Sequence, residues 1–180
     1  MLTDRMAEAI MKSIVEAGHV VMKNPRDYEA RATLMWGASL AHNNLLSCGR
    51  LKGSGIHLIE EELHAANGRI VHGVGLSAIF PSYARQVYKR NIKRFARFAV
   101  EVFNENYDYE HPEKTALKGI EDMEELIDFL GLPKTLKEIG VSRDQFDMVA
   151  EHCTENGRKV SNLCPMTKED VLEILERAAE

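Results

Sequence analysis

Gly55-Ile-His57-Leu-Ile-Glu60-Glu61-Glu62-Leu-His64-Ala-Ala-Asn67-Gly68-Arg-Ile-Val-His72-Gly73 is the stretch on which the fold turns. His57 to Ala66 reads as a helix, and Asn67-Gly68 is a turn signal. The apolar segment from Val74 through Val87 reads as the next helix, with a kink expected at Pro81. The same stretch gathers three imidazoles and three carboxylates, so the reading of the fold and of the chemistry start together.

Outward from it, the chain reads as helix throughout. Met6, Ile10 and Ile14, beside Ala7, Met11 and Val15, recur at four-residue spacing and mark an amphipathic first helix. Asn24-Pro25 places a capping side chain before a proline suited to a first turn, and a helix is expected through Met35, Trp36, Leu40 and Leu45 until the Gly49-to-Gly55 stretch ends it. Ile92, Phe95, Ala96, Ala99 and Val102 keep a helical period. A further helix is expected from Pro112, with Ile120, Met123, Ile127 and Leu130 on one face and a stop at Gly131-Leu132-Pro133. Ser142 with Gln145, and Thr167 with Asp170, have the spacing of N-terminal capping pairs, the second leading into the stripe Val171, Ile174, Leu175 and Ala178. No stretch alternates convincingly with paired turns, and no repeat or Pro/Gly/Ser-rich linker is present. The fold class expected is all-α, one multi-helix domain over residues 1–180 with seven to nine helices.

A length of 180 residues suits one domain with a substantial core. The net charge of -5 argues against a general phosphate-binding surface, and no nucleic-acid partner is expected. No apolar run is long enough to span a bilayer, and the N-terminus lacks the order of a signal peptide, so the expected location is the cytoplasm, without a membrane partner. Cys48, Cys153 and Cys164 are odd in number and widely spaced, which indicates neither a disulfide framework nor a thiolate zinc site.

His57 and Glu61 are four apart and share a helix face, as do Glu60 and His64. His72 lies just beyond the turn. Two imidazoles from adjacent helices can hold a borderline divalent ion such as zinc or ferrous iron, and Gly73 would let the backbone come close. On spacing alone, histidines exposed on an acidic helix account for the pattern at least as well. Lys89, Arg90, Lys93, Arg94 and Arg97 could bind phosphate or RNA but, in an acidic chain, read as a solvated face or the counterpart of an acidic protein. Met35 and Trp36 could line a substrate pocket but read as core. His42 beside Asn43 and Asn44 could contact a ligand but reads as local hydrogen bonding. His19, His111 and His152 show no partner pattern.

The strings Asn24-Pro-Arg-Asp-Tyr-Glu-Ala-Arg31, Met35-Trp36, Ser39-Leu-Ala-His-Asn43, Gly49, His57 with Ile59-Glu60, Glu62-Leu63, His72-Gly-Val-Gly-Leu76 and Phe80-Pro81 resemble the iron-containing (group III) alcohol dehydrogenases, in particular their butanol dehydrogenase branch. Arg94-Phe-Ala, Thr115-Ala-Leu-Lys-Gly-Ile120, Gly131-Leu-Pro-Lys-Thr-Leu136 and Leu163-Cys-Pro-Met-Thr-Lys-Glu-Asp-Val171 are similar to the tail of that branch, so the resemblance covers nearly the whole chain.

The resemblance implies an all-helical C-terminal domain that, in a complete enzyme, closes over a nicotinamide cofactor carried by an N-terminal α/β domain. In that family one Asp and three His hold a divalent metal that acts on a small alcohol or aldehyde. His57 and His72 match the last two of those ligands. The Asp and the first His would precede Thr3, and no glycine-rich cofactor turn follows a strand here. The expectation is a metal-binding fragment: Fe2+ or Zn2+ at His57 and His72, NAD(P) only with the missing domain, and no catalytic residue assigned. Self-association is expected through the domain face left exposed. Where the family has a second histidine one turn after His57, this chain has Glu61, an extra ligand or, by preference, a solvated carboxylate. The loop before His72 is one residue longer than the family turn. The alternative is a free-standing helical interaction or structural module without redox activity.

Overall fold

The computed structural model describes residues 2–49, 53, 55–158, 160 and 164–180. Residues 50–52 and 54 of the Gly49-to-Gly55 break, and Leu163 of the tail motif, lie outside the described residues. Among the described residues there are eight α-helices and no strand: α1 (Leu2–Lys23), α2 (Tyr28–His42), α3 (Gly55–Ala66), α4 (His72–Val87), α5 (Ile92–Phe103), α6 (Pro112–Phe129), α7 (Phe146–Thr154) and α8 (Lys168–Arg177). The all-α expectation is borne out.

The chain divides into two compact units, residues 1–51 with 92–122, and residues 52–91 with 123–180. In the first, α1 packs on α2 and α5. Its buried apolar residues are mostly small: Ala17, Ala30, Ala96, Ala99 and Ala116, with Val102 and Ile120. Ala17 is the one buried residue of α1, so the stripe expected on that helix is half-buried rather than core. In the second unit, α3 packs on α4 and α7, and α8 packs on α4 and α7. Ile59, Leu63, Ile79, Leu136, Val149, Ile174 and Leu175 are fully buried there, and the inward stripe expected for the last helix is observed.

Three readings of the sequence need correction. The cap of α2 is Asp27, whose side chain accepts from the Ala30 N–H at 2.9 Å, while Asn24 accepts from the Arg26 N–H inside the preceding turn. Asn24 and Asp27 are both good caps, and the helix takes the later one. Met35 and Trp36 are 72% and 66% exposed, so they are not core. Together with Pro25, Arg26, Tyr28 and Arg31 they line a shallow groove along α2. α2 stops at His42, so Leu45, expected within that helix, instead opens a short 3₁₀ turn, Leu45–Ser47. Pro81 lies buried inside α4, which runs on to Val87 as expected.

The remaining punctuation falls where the residue types direct it. Gly131, at φ +67°, follows α6 and supplies the left-handed residue that closes a helix. Thr167 and Asp170 form a reciprocal capping box at the start of α8. Ser142 with Gln145 heads a 3₁₀ turn, Arg143–Gln145, which leads into α7.

Candidate metal centre

α3 and α4 are joined by a turn that is tied down on both sides. The Ile70 N–H donates to the Asn67 carbonyl at 3.1 Å, the Ile70 side chain is buried, and Nδ1 of His64 lies 2.8 Å from the Ile70 carbonyl. His64 therefore stitches the turn rather than pairing with Glu60. Val71 then adopts an extended conformation, and α4 begins at His72. These contacts carry the two candidate ligands to one place: the His57 and His72 rings stand 5.4 Å apart between centroids, inclined at 47°.

Glu60 completes the arrangement. It follows His57 by three positions on α3, is 1% exposed, and its Oε2 is hydrogen-bonded to Nδ1 of His72. The other carboxylate oxygen, Oε1, is buried and has no hydrogen-bond partner, a state that costs about 1–3 kcal/mol. Room for this side chain comes from Gly75, one turn into α4. A Cβ there would lie 2.7 Å from both Cγ and Oε1 of Glu60. The close approach expected at Gly73 occurs at Gly75 instead, since a Cβ at Gly73 meets nothing within 4 Å.

The residues present fit a divalent ion as a partial ligand set. A zinc-bound imidazole nitrogen lies about 2.0–2.1 Å from the ion, so two rings sharing a tetrahedral ion have centroids roughly 5 Å apart. The observed separation matches that. With Nδ1 of His72 engaged by Glu60, Nε2 is the ring nitrogen left without that contact, and the His72 side chain is 54% exposed beside its buried partner. Among the described residues no group of three or more His, Cys, Asp and Glu side chains is placed to hold a metal ion. Glu61 is exposed and does not complete such a group. His57 and His72 are thus brought together, and Glu61 stands as a solvated carboxylate.

Other side chains with chemical potential have structural partners. Arg94 pairs with Asp4 at 3.2 Å, and Arg97 grips Glu8 with a second bond at 2.8 Å. Arg90 reaches Asp170 at 3.2 Å, the Pro165 carbonyl at 2.9 Å and Sγ of Cys164 at 3.1 Å. The acidic counterpart expected for these cations lies, for those three, within the chain itself. Asn43 accepts from the Leu45 N–H at 3.0 Å, the local role expected of the cluster after His42. Nδ1 of His152 lies 3.5 Å from Glu62, a carboxylate that also binds Arg158 at 2.6 Å, and Nδ1 of His19 lies 2.9 Å from the Val15 carbonyl. Cys153 and Cys164 are buried and Cys48 is exposed. Burial, reinforced by the charge of Glu62, pushes the Cys153 thiol up to about 12, which makes it inert as a nucleophile or ligand.

Comparison with known proteins gives the arrangement its setting. The family model for the C-terminal part of the Fe-containing alcohol dehydrogenases matches residues 1–179. NADH-dependent butanol dehydrogenase B of Clostridium acetobutylicum is 33% identical over 184 residues, covering 98% of this chain and 46% of that protein. NADH-dependent butanol dehydrogenase A of the same organism is 34% identical over 177 residues, covering 97% and 45%. The crystal structure of NADH-dependent butanol dehydrogenase A from Thermotoga maritima superimposes with a TM-score of 0.90 at 31% identity, over 100% of this chain and 46% of that one. The chain spans less than half the length of these relatives. No described helix is long and apolar enough to cross a membrane. The chain belongs to the iron-containing alcohol dehydrogenase family and corresponds to its C-terminal part.

Proposed function

We propose that these 180 residues are the metal-binding helical part of an NAD(P)-dependent oxidoreductase acting on small alcohols or aldehydes, with His57 and His72 as two ligands of a ferrous or zinc ion. The observation that carries this reading is the side-by-side placement of the two rings, 5.4 Å apart, in a chain whose family relatives are named as butanol dehydrogenases. A bound divalent ion supplies Lewis-acid polarisation of the alcohol or aldehyde oxygen. The chain's own contribution is to hold two imidazoles in fixed relation on the α3–α4 hairpin, so that little ordering is needed when an ion arrives. The remaining ligands and the nicotinamide site come from protein beyond these residues, and the chain alone is inactive.

The exposed face of α2, with Tyr28, Met35 and Trp36 at 79%, 72% and 66% exposure, supports this incompleteness. It equally favours a second reading, that of a helical interaction module without redox chemistry, and in either case it favours self-association of the isolated chain. One experiment separates the two. The 180-residue chain, alone and joined to the N-terminal half of the Clostridium butanol dehydrogenase B, is assayed for NADH oxidation with butyraldehyde. Activity is expected only in the joined protein and is lost on His57→Ala or His72→Ala. Turnover by the chain alone would overturn the claim of incompleteness. A folded joined protein that is inactive, and whose His57 and His72 do not respond to zinc, leaves the interaction module as the function.

A further inference from the structure

We infer that Glu60 is the positioning residue of this site: it fixes His72 as the Nδ1–H tautomer and so dedicates Nε2 to the metal. The inference rests on the metal reading proposed above and deepens it.

Three observations point the same way. Glu60 is 1% exposed, whereas its partner His72 is 54% exposed, so the carboxylate lies inside and the ring stands between it and solvent. One oxygen of Glu60 bonds His72 Nδ1 and the other has no hydrogen-bond partner. Gly75 leaves the space that the Glu60 side chain fills. A buried carboxylate with an unsatisfied oxygen is a poor way to stabilise a core, since an apolar side chain of similar size fills the same volume without the desolvation penalty. Its value lies in what it does to His72. A neutral imidazole has two tautomers, and only the nitrogen without the proton can bind a metal. A carboxylate accepting from Nδ1 selects one tautomer and also fixes the ring's rotation about its bond to the backbone, the arrangement by which outer carboxylates orient histidine ligands.

Glu60 cannot itself be the missing third ligand through this geometry. The oxygen facing His72 is engaged on the Nδ1 edge, and the coordinating Nε2 lies on the opposite side of the ring. Its neighbours Glu61 and Glu62 do not substitute for it: Glu61 is exposed, and Glu62 is bound by Arg158.

The test uses the 180-residue chain with Zn2+ as the probe. Long-range 1H–15N spectra at about pH 8.5, where an ordinary imidazole is neutral, report the tautomer of His72 without metal. Zinc titration followed on the His57 and His72 signals then gives affinity, and thermal unfolding gives stability. The parent is expected to carry the proton on Nδ1 of His72. Glu60→Leu is expected to keep or raise the melting temperature, to shift His72 towards the Nε2–H tautomer, and to weaken zinc binding about 10- to 100-fold. Glu60→Gln, whose amide oxygen can accept the same bond, is expected to restore most of the affinity. A purely structural role would lower stability without moving the tautomer. Nε2–H in the parent, or unchanged zinc affinity in a folded Glu60→Leu chain, overturns this inference alone. If Glu60→Leu does not fold, the parent tautomer and the Glu60→Gln titration decide. Zinc that leaves both His57 and His72 signals unmoved overturns the metal reading, and this inference with it.

Discussion

A methyl group at position 75 would fall 2.7 Å from both Cγ and Oε1 of Glu60, closer than any relaxed contact, so Gly75→Ala must displace the carboxylate that holds His72. Helix propensity opposes this, because alanine in a helix interior is favoured over glycine by about 1 kcal/mol. Overpacking in a filled site costs about 1–3 kcal/mol, and the neighbour here is a fully buried carboxyl side chain with little room to move aside. Gly75→Ala is therefore expected to lower stability by about 1–2 kcal/mol in urea unfolding. Combined with Glu60→Ala, which removes the colliding atoms, the two changes should cost less than their sum. Additive costs would place the strain elsewhere. The same residues show what the sequence could and could not reveal. The juxtaposition of His57 and His72 was legible only through the family pattern, because spacing alone fits exposed histidines on an acidic helix at least as well. Glu60-Glu61-Glu62 were not separable: three identical side chains step about 100° apart around a helix, and only packing assigns one to His72, one to solvent and one to Arg158.

The helices themselves were legible wherever a period and a terminator agreed. α8 shows both, since its apolar stripe is buried throughout and its start is closed by Thr167 and Asp170. The Thr167 N–H donates to Asp170 at 2.9 Å, and Gln86 and Arg90 reach the other oxygen at 3.1 and 3.2 Å. Burial pushes the Asp170 carboxyl up, but these donors outweigh it and hold it below its ordinary value of 3.8. A folded-state value below the unfolded one stabilises the fold above the unfolded value, and that stabilisation is lost as pH falls through the folded value. Asp170→Asn is thus expected to cost about 1–2 kcal/mol at pH 7, with the deficit shrinking as pH drops below 3.8. Parallel denaturation curves for parent and variant across that range would contradict the assignment. The start of α2 was less legible for a physical reason. Asn24 and Asp27 offer nearly equivalent caps, and the proline between them suits a turn as well as a first helical position, so local chemistry does not choose. Met35 and Trp36 were misread because helical spacing records that residues share a face without saying whether anything covers it.

The division into two units was not visible in the chain, because α6 runs continuously across residue 122 and no linker marks the boundary. What distinguishes the units is the size of their buried side chains. The core of the first is largely alanine, while the second buries Ile59, Leu63, Ile79, Leu136, Ile174 and Leu175 completely. Fully burying a leucine or isoleucine stabilises by about 1.5–3 kcal/mol, and alanine contributes far less, so stability should be concentrated in the second unit. The large side chains Tyr28, Met35 and Trp36, which could have thickened the first core, point out of it. Since opening free energies follow buried apolar contact, amides of α1 and α2 are expected to exchange with deuterium at lower urea concentrations than those of α3, α4 and α8. His57, Glu60 and His72 all belong to the more stable unit, so zinc should slow exchange at the start of α4 even at urea concentrations where α2 is already unprotected. Simultaneous loss of protection in α2 and α4 would instead mean that the alanine-rich core is held by the rest of the molecule, and that the site has no stability of its own.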